Sequence, residues 1–291
     1  MIKSGYIAII GRVSVGKSTF LNNYLEEKVS ITSSKPQTTR EQIIGIKTFS
    51  DAQFVFIDTP GFYRPRHKLG EFLSKEALSG LKSADLILYL VDSEYSYGED
   101  YVIRHFENIN VPVFLVINKI DLLKSKMSID RIILSYLDKY NFKGVFPISA
   151  LEKTHFEKLT EAIKNYLPSQ GYFYEKEQVT TQSDLKRASE IIREKVLFYT
   201  KEEVPHAVGV FIEYARMENG LYVMYATIYV ERASQKAILI GKRGEMLKKI
   251  GKDSRLEINE VLNTKVHLNL YVKVKKDWRN NISDLRGLGY V

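Results

Sequence analysis

One stretch constrains the fold more than any other. Gly11-Arg12-Val13-Ser14-Val15-Gly16-Lys17-Ser18 follows the apolar run Tyr6-Ile7-Ala8-Ile9-Ile10 and precedes the helix-like Thr19-Phe20-Leu21-Asn22-Asn23-Tyr24-Leu25. A strand, a glycine-bounded loop and a helix are therefore expected in that order. In the spacing G-x-x-x-x-G-K-S, consecutive backbone N–H groups and the helix N-terminus converge on phosphate oxygens. Gly11, Ser14, Val15, Gly16 and Thr19 would supply that backbone cradle. Lys17 would reach the β- and γ-phosphates, and the Ser18 hydroxyl would bind Mg²⁺.

Strand-like runs recur at Ile43 to Phe49, Phe54 to Ile57, Leu86 to Val91, Val113 to Ile117 and Val145 to Ile148, with helix-length segments between the later ones. This alternation predicts an α/β domain, a mostly parallel sheet covered by helices on both faces. Ligands in such sheets bind at the carboxyl ends of the strands, and the remaining motifs sit there. The loop Lys35-Pro36-Gln37-Thr38-Thr39-Arg40 offers a threonine to complete Mg²⁺ coordination; Thr39 is chosen over Thr38. Asp58-Thr59-Pro60-Gly61 places a carboxylate to hold a Mg²⁺-bound water and a glycine amide near a γ-phosphate. These two loops would order and release with that phosphate.

Asn118-Lys119-Ile120-Asp121 ends the fourth of these runs and carries base selectivity. Asp121 can accept from guanine N1–H and the 2-amino group, Asn118 can donate to the purine edge, and the Lys119 stem can lie against the ring. Adenine would leave the carboxylate unpaired, a cost of roughly 1–3 kcal/mol or more. Ser149-Ala150-Leu151 follows the last run, with the Ala150 N–H positioned to meet guanine O6. Phe62 stands directly after Gly61, where a water-orienting glutamine occurs in Ras-like proteins. An apolar ring cannot orient water, so slow intrinsic hydrolysis is expected and no catalytic residue is assigned. His67 is read as an ordinary loop histidine.

The second half is built differently. Pro168 halts a helix over Leu159 to Leu167, and residues 171–183 read as a linker between a domain at 1–170 and another at 184–291. A helical face over Asp184 to Tyr199 includes Leu185, Ala188, Ile191, Ile192, Val196 and Phe198-Tyr199. Strands follow at Ala207 to Tyr214 and Leu221 to Tyr229, joined at Glu218-Asn219-Gly220, and a last strand runs from Val266 to Val274. Between them lies Gly241-Lys242-Arg243-Gly244, a G-x-x-G loop joining two helical pieces. Glycines at both ends admit a sugar-phosphate backbone, and the cations neutralise it. Lys236 and Ile240 precede the loop and Lys248, Lys249 and Lys252 follow it, completing the RNA-binding set. Residues 181–291 carry 20 Lys and Arg against 14 Asp and Glu, whereas residues 1–180 carry 23 against 21. The basic excess therefore lies with the G-x-x-G loop. Trp278 is read as a core residue.

The absence of cysteine excludes disulfides and thiolate metal sites, which fits a reducing cytoplasm. Met1 to Gly5 runs straight into the first strand, leaving no room for a signal peptide, and no apolar run reaches the length of a membrane span. The five histidines are scattered, so Mg²⁺ is the only metal expected.

The nucleotide motifs resemble the translation-factor-related branch of GTPases. Combined with Ala188 to Lys195, Ile240 to Gly244, Val266-His267-Leu268 and Leu285 to Tyr290, they make the chain similar to the Era family of bacterial GTPases along almost its whole length. The resemblance implies a P-loop GTPase domain followed by an α+β type II KH domain. GTP, GDP and Mg²⁺ are the implied ligands, and GTP hydrolysis is coupled to binding the 3′ end of 16S ribosomal RNA in assembly of the small subunit. It also implies a cytoplasmic monomer with some peripheral attachment to the inner membrane. Where the family carries Pro-Asn this chain has Val13-Ser14. That asparagine is a potassium ligand in some relatives, so little potassium stimulation is expected. Two other classes stay open, a GTPase whose KH-like domain binds a protein and a membrane-surface signalling GTPase.

Overall fold

Residues 7–10 are fully buried although adjacent side chains on a strand face opposite ways, which requires a sheet covered on both sides. The computed structural model provides that sheet. It describes every residue except Ser34, Pro36, Gln37, Tyr63, Arg64, Arg66, Asn108 and Val291; the expected switch residues Pro36 and Gln37 thus lie outside the described residues. The chain forms two units, one comprising Met1–Ser30, Thr39–Arg64 and Leu73–Thr181, the other Ile31–Thr38, Pro65–Phe72 and Gln182–Val291.

In chain order, the elements up to residue 166 are β1 (Lys3–Ile10), α1 (Lys17–Leu25), β2 (Ile43–Thr48), β3 (Ala52–Asp58), α2 (Lys68–Lys82), β4 (Leu86–Val91), α3 (Tyr97–Ile103), β5 (Val113–Ile117), α4 (Lys126–Leu137), β6 (Gly144–Pro147) and α5 (Phe156–Tyr166). The sheet order is β2-β3-β1-β4-β5-β6. Only the β2/β3 pair is antiparallel. Ile7 and Ile9 face a core with Phe20, Tyr24, Leu159 and Ile163 of α1 and α5. Ala8 and Ile10 face another with Ala77, Val102 and Tyr136 of α2, α3 and α4. Because β1 lies between β3 and β4, the strand order reverses beside its carboxyl end, where a crevice opens between crossovers on opposite faces.

The segment expected to be a linker is in part a component of this unit, up to Thr181. Val179 O accepts from Ile46 N at 2.7 Å, and Thr180 Oγ1 donates to Ile44 O at 2.7 Å. Gln53, fully buried, accepts from the amides of Phe173 and Tyr174 and donates to Tyr174 O. Those backbone groups find partners on β2 and β3, so the chain stays with the sheet until Thr181.

The second unit contains α6 (Asp184–Tyr199), β7 (Gly209–Glu218), β8 (Leu221–Val230), α7 (Ala233–Ile240), α8 (Glu245–Val261), β9 (Val266–Val274) and α9 (Ile282–Gly287). Its sheet runs β7-β8-β9, antiparallel then parallel. The parallel β8/β9 pair needs a crossover, which α7 and α8 supply. Asn219 and Gly220 both take positive φ, 49° and 76°, as a tight two-residue hairpin requires. Ala188, Ile191, Ile192 and Val196 of α6 join a core with Met224, Ile228, Leu239, Ile250 and Val272. Leu185 and Phe198 do not; both are exposed, because they lie outside the stripe that the core covers. Trp278 is buried and its Nε1 donates to Ala207 O at 2.9 Å. Among the described residues no helix is long and apolar enough to cross a membrane.

Candidate functional site

The loop after β1 is built by close approach. A Cβ on Gly16 would stand 2.4 Å from Asn118 Nδ2, so only glycine lets the end of β5 meet the start of α1. Ser14 takes a left-handed φ of 65°. No side chain caps α1, whose first amides are thus left for an anion. Lys17 is buried, and its Nζ donates to Gly11 O at 3.2 Å and Arg12 O at 2.9 Å. Gly61 lies against Val13 of the same loop. Burial pushes the Lys17 ammonium down to about 8, with the Asp58 carboxylate opposing the shift. A polyphosphate beside Lys17 raises that pKa again. Nucleotide binding should then take up about half a proton at pH 8 and almost none near pH 6.5. Calorimetry in buffers of different ionisation enthalpy measures this, and uptake that does not vary with pH would contradict it.

Three hydroxyls gather around Asp58. Ser18 Oγ and Ser30 Oγ donate to its Oδ2 at 2.9 and 3.0 Å, and Ser18 shares a 3.1 Å hydrogen bond with Thr39 Oγ1. Asp58 is fully buried and its other oxygen, Oδ1, has no hydrogen-bond partner. Burial raises its pKa, opposed by Lys17 and the Ser18 and Ser30 hydroxyls. A buried carboxylate with one unpartnered oxygen, together with the hydroxyls of Ser18 and Thr39, is an all-oxygen donor set suited to a hard cation, so these residues fit Mg²⁺. Of the two candidate threonines, Thr39 is beside Ser18, whereas the Thr38 hydroxyl turns back to Lys35 O at 2.6 Å. Arg40 is buried next to Thr39. Thr59 Oγ1 donates to Ile9 O at 3.0 Å and fixes the start of the loop that continues through Pro60.

Phe62 is buried against Tyr101 and His105, inside the core and unable to handle water. His67 Nδ1 accepts from Gly70 N at 2.9 Å and caps the start of α2. Replacing His67 by alanine should therefore leave basal turnover within a few-fold while costing about 1 kcal/mol of stability. A hundredfold loss of turnover would reassign the histidine to the chemistry.

At the base end, Asn118 is buried; its Nδ2 donates to Val15 O at 2.8 Å and its Oδ1 accepts from Ala150 N at 2.9 Å. The Ala150 amide, expected to meet guanine O6, is thus engaged in orienting the asparagine. The second Nδ2 proton of Asn118 remains for a purine edge. Lys119 Nζ reaches Ser14 O at 2.7 Å and Asp92 Oδ2 at 2.6 Å, which stretches its stem towards the phosphate loop. Asp121 Oδ1 accepts from Ser149 Oγ at 2.5 Å. Leu151 is exposed, and its carbonyl, like that of Ala150, accepts from Asn23. Sequence reasoning missed Asp92 and Ser30; the signal for Asp92 was its place directly after the buried run of β4.

In the second unit, Gly241 has φ 70° and ψ 179°, Arg243 φ 52° and Gly244 φ 80°. A Cβ on Gly241 would lie 3.0 Å from Met246 N, while none of the surroundings comes within 4 Å of one on Gly244. Lys242, Arg243, Lys248 and Lys252 are exposed, and Lys236 and Ile240 are half-buried. Lys249, also exposed, holds its Nζ 4.5 Å from the Tyr199 ring centre. Exposed Ile238 adds an apolar surface before the turn. The loop therefore joins an open backbone to cations and an apolar flank, as recognition of single-stranded RNA requires.

Two family models match the chain, "50S ribosome-binding GTPase" over residues 6–119 and "KH domain" over residues 203–279. The GTPase Era of Staphylococcus haemolyticus is 45% identical over 293 residues, covering 99% of this chain and 97% of that protein. Two solved structures superpose with a TM-score of 0.96 at 36% identity, each covering 100% of both chains. One is Aquifex aeolicus Era, as a variant, bound to GDP·AlF4⁻. The other is Era in complex with MgGDPNP and nucleotides 1506–1542 of 16S ribosomal RNA.

Proposed function

The chain belongs to the Era family of GTPases, and from that premise we propose that it binds the 3′ end of 16S ribosomal RNA through its KH domain and acts in maturation of the small ribosomal subunit. As a GTPase it converts GTP and water to GDP and phosphate with Mg²⁺ bound. The ion supplies charge stabilisation at the phosphates. Ser18, Thr39 and, through water, Asp58 would hold it, while Lys17 and the loop amides neutralise the phosphate oxygens. Asp121 and Asn118 select guanine. With Phe62 buried, the residue directly after Gly61 does not orient the attacking water, so turnover is slow without a further group.

The observation that carries the RNA reading is the Gly241-Lys242-Arg243-Gly244 turn, open at Gly244 and flanked by exposed lysines. A related Era complexed with the corresponding RNA supports the same assignment. We further place the protein in the cytoplasm as a monomer, with peripheral contact to the inner membrane. Nucleotide-resolution crosslinking to cellular RNA, with GTP replaced by a slowly hydrolysed analogue, tests the main proposal. A single crosslink cluster near the 3′ end of 16S RNA, lost in Gly244→Asp, is expected. Dispersed crosslinks that survive the substitution would overturn it and leave a GTPase whose basic half serves a protein or a lipid surface.

A further inference from the structure

Ser30 belongs to none of the nucleotide motifs, yet it is 1% exposed and its hydroxyl ends on the carboxylate of Asp58. Its position is fixed from α1. Asn22 Oδ1 accepts from the amides of Val29 and Ser30 at 3.0 and 2.9 Å, and Asn22 Nδ2 donates to Ser30 O at 2.6 Å. The turn carrying Ser30 is thereby pinned to the same short helix that begins with Lys17 and Ser18.

Both donors on Asp58 Oδ2, Ser18 and Ser30, are therefore referenced to one rigid element. A carboxylate rotates easily about its last torsion. Two hydrogen bonds to one oxygen restrict that freedom and leave Oδ1 with no hydrogen-bond partner. Ser18 has a second task as a cation ligand, whereas Ser30 has none; it can hold the carboxylate whether or not the ion is present. Hydrogen bonds from neutral donors to a buried carboxylate are charge-assisted, which makes this a strong constraint.

We propose that Ser30 is a positioning residue for the cation site: braced by Asn22, its hydroxyl fixes the Asp58 carboxylate so that Oδ1 is presented to a Mg²⁺-bound water, and it thereby sets the affinity of the nucleotide-bound protein for the ion. This rests on the GTPase reading of the site. Outer-shell hydrogen bonds at metal sites typically contribute 10- to 100-fold in metal affinity.

The test follows dissociation of a fluorescent GDP analogue from the full chain as free Mg²⁺ is varied. In Ser30→Ala the Mg²⁺ concentration that half-slows dissociation should rise about tenfold. In excess EDTA, variant and parent should release the analogue at rates within about twofold of each other. Ser30→Thr, which restores a hydroxyl, should move the midpoint back towards that of the parent, and thermal unfolding confirms that each protein is folded. A Ser30→Ala midpoint equal to the parent's overturns the proposal. So does equal acceleration with and without Mg²⁺, the mark of a turn that serves only the fold. A parent protein that binds the analogue with no response to Mg²⁺ would overturn the cation reading beneath it, and one that binds no guanine nucleotide would overturn the nucleotide site itself.

Discussion

Replacing Asp121 by asparagine should convert the nucleotide site from guanine to xanthine selectivity. Guanine presents two donors to this position, N1–H and the 2-amino group, and a carboxylate accepts both. Asparagine keeps the shape and can still accept from Ser149 Oγ, which stands 2.5 Å from Oδ1. Its amide nitrogen, however, would face the 2-amino group, donor against donor. Two charge-assisted hydrogen bonds are lost, each worth about 1.5–3 kcal/mol. GTP affinity should fall roughly 100-fold or more. Xanthine carries a carbonyl where guanine has the amino group, so the same amide finds an acceptor and XTP should become the better ligand. Competition between GTP and XTP for a fluorescent nucleotide measures both changes. A loss below tenfold for GTP would mean that Asp121 does not read the base.

Gly244→Asp should weaken binding to a single-stranded oligonucleotide matching the 3′ end of 16S RNA by roughly 10- to 100-fold, about 1.4–2.7 kcal/mol, with guanine-nucleotide affinity unchanged. A side chain at φ 80° strains the backbone, but aspartate enters this region more readily than most residues and the space around the position is open, so thermal unfolding is followed beside binding. The loss would come from a negative charge placed beside Lys242 and Arg243, in the path of the phosphates. Gly241 is the contrasting position, because a side chain there would press on Met246 and strain the turn itself. Fluorescence anisotropy at two salt concentrations reads the effect; the difference between parent and variant should shrink as salt rises. Unchanged affinity would remove the turn from the RNA interface.

The parts legible in the sequence are those in which chemistry depends on neighbours along the chain. The spacing from Gly11 to Ser18 dictates a backbone shape, and Asn118 to Asp121 is one turn at a strand end, so motif and geometry coincide. The strand Val266 to Val274 was readable from its alternation, Val266, Leu268, Leu270 and Val272 facing the core, although Val274 at its end is exposed. Contacts between distant residues were not readable. Asp92 receives the Lys119 ammonium across 27 positions, and Ser30 meets Asp58 across 28. The Ala150 amide looked free because nothing in Ser149-Ala150-Leu151 reveals that Asn118 Oδ1 will claim it. Leu185 and Phe198 satisfied a helical period yet stayed outside the core, since period alone does not say how wide a stripe the neighbouring elements will cover.

The attachment of residues 173–180 to the first sheet has a consequence for how the protein behaves in a crowd. β2 is an outermost strand of that sheet, and a bare border of this kind offers unpaired amides and carbonyls to any extended chain that drifts by. Here Val179 and Thr180 take up groups of Ile46 and Ile44, while Gln53 stitches Phe173 and Tyr174 to the next strand inward. The stretch leading out of the nucleotide-binding unit thus acts as a selvedge, finishing the β2 border against extension by a stranger. Cutting it away would leave a domain with its nucleotide motifs intact and a raw edge, primed to pair with its own copies.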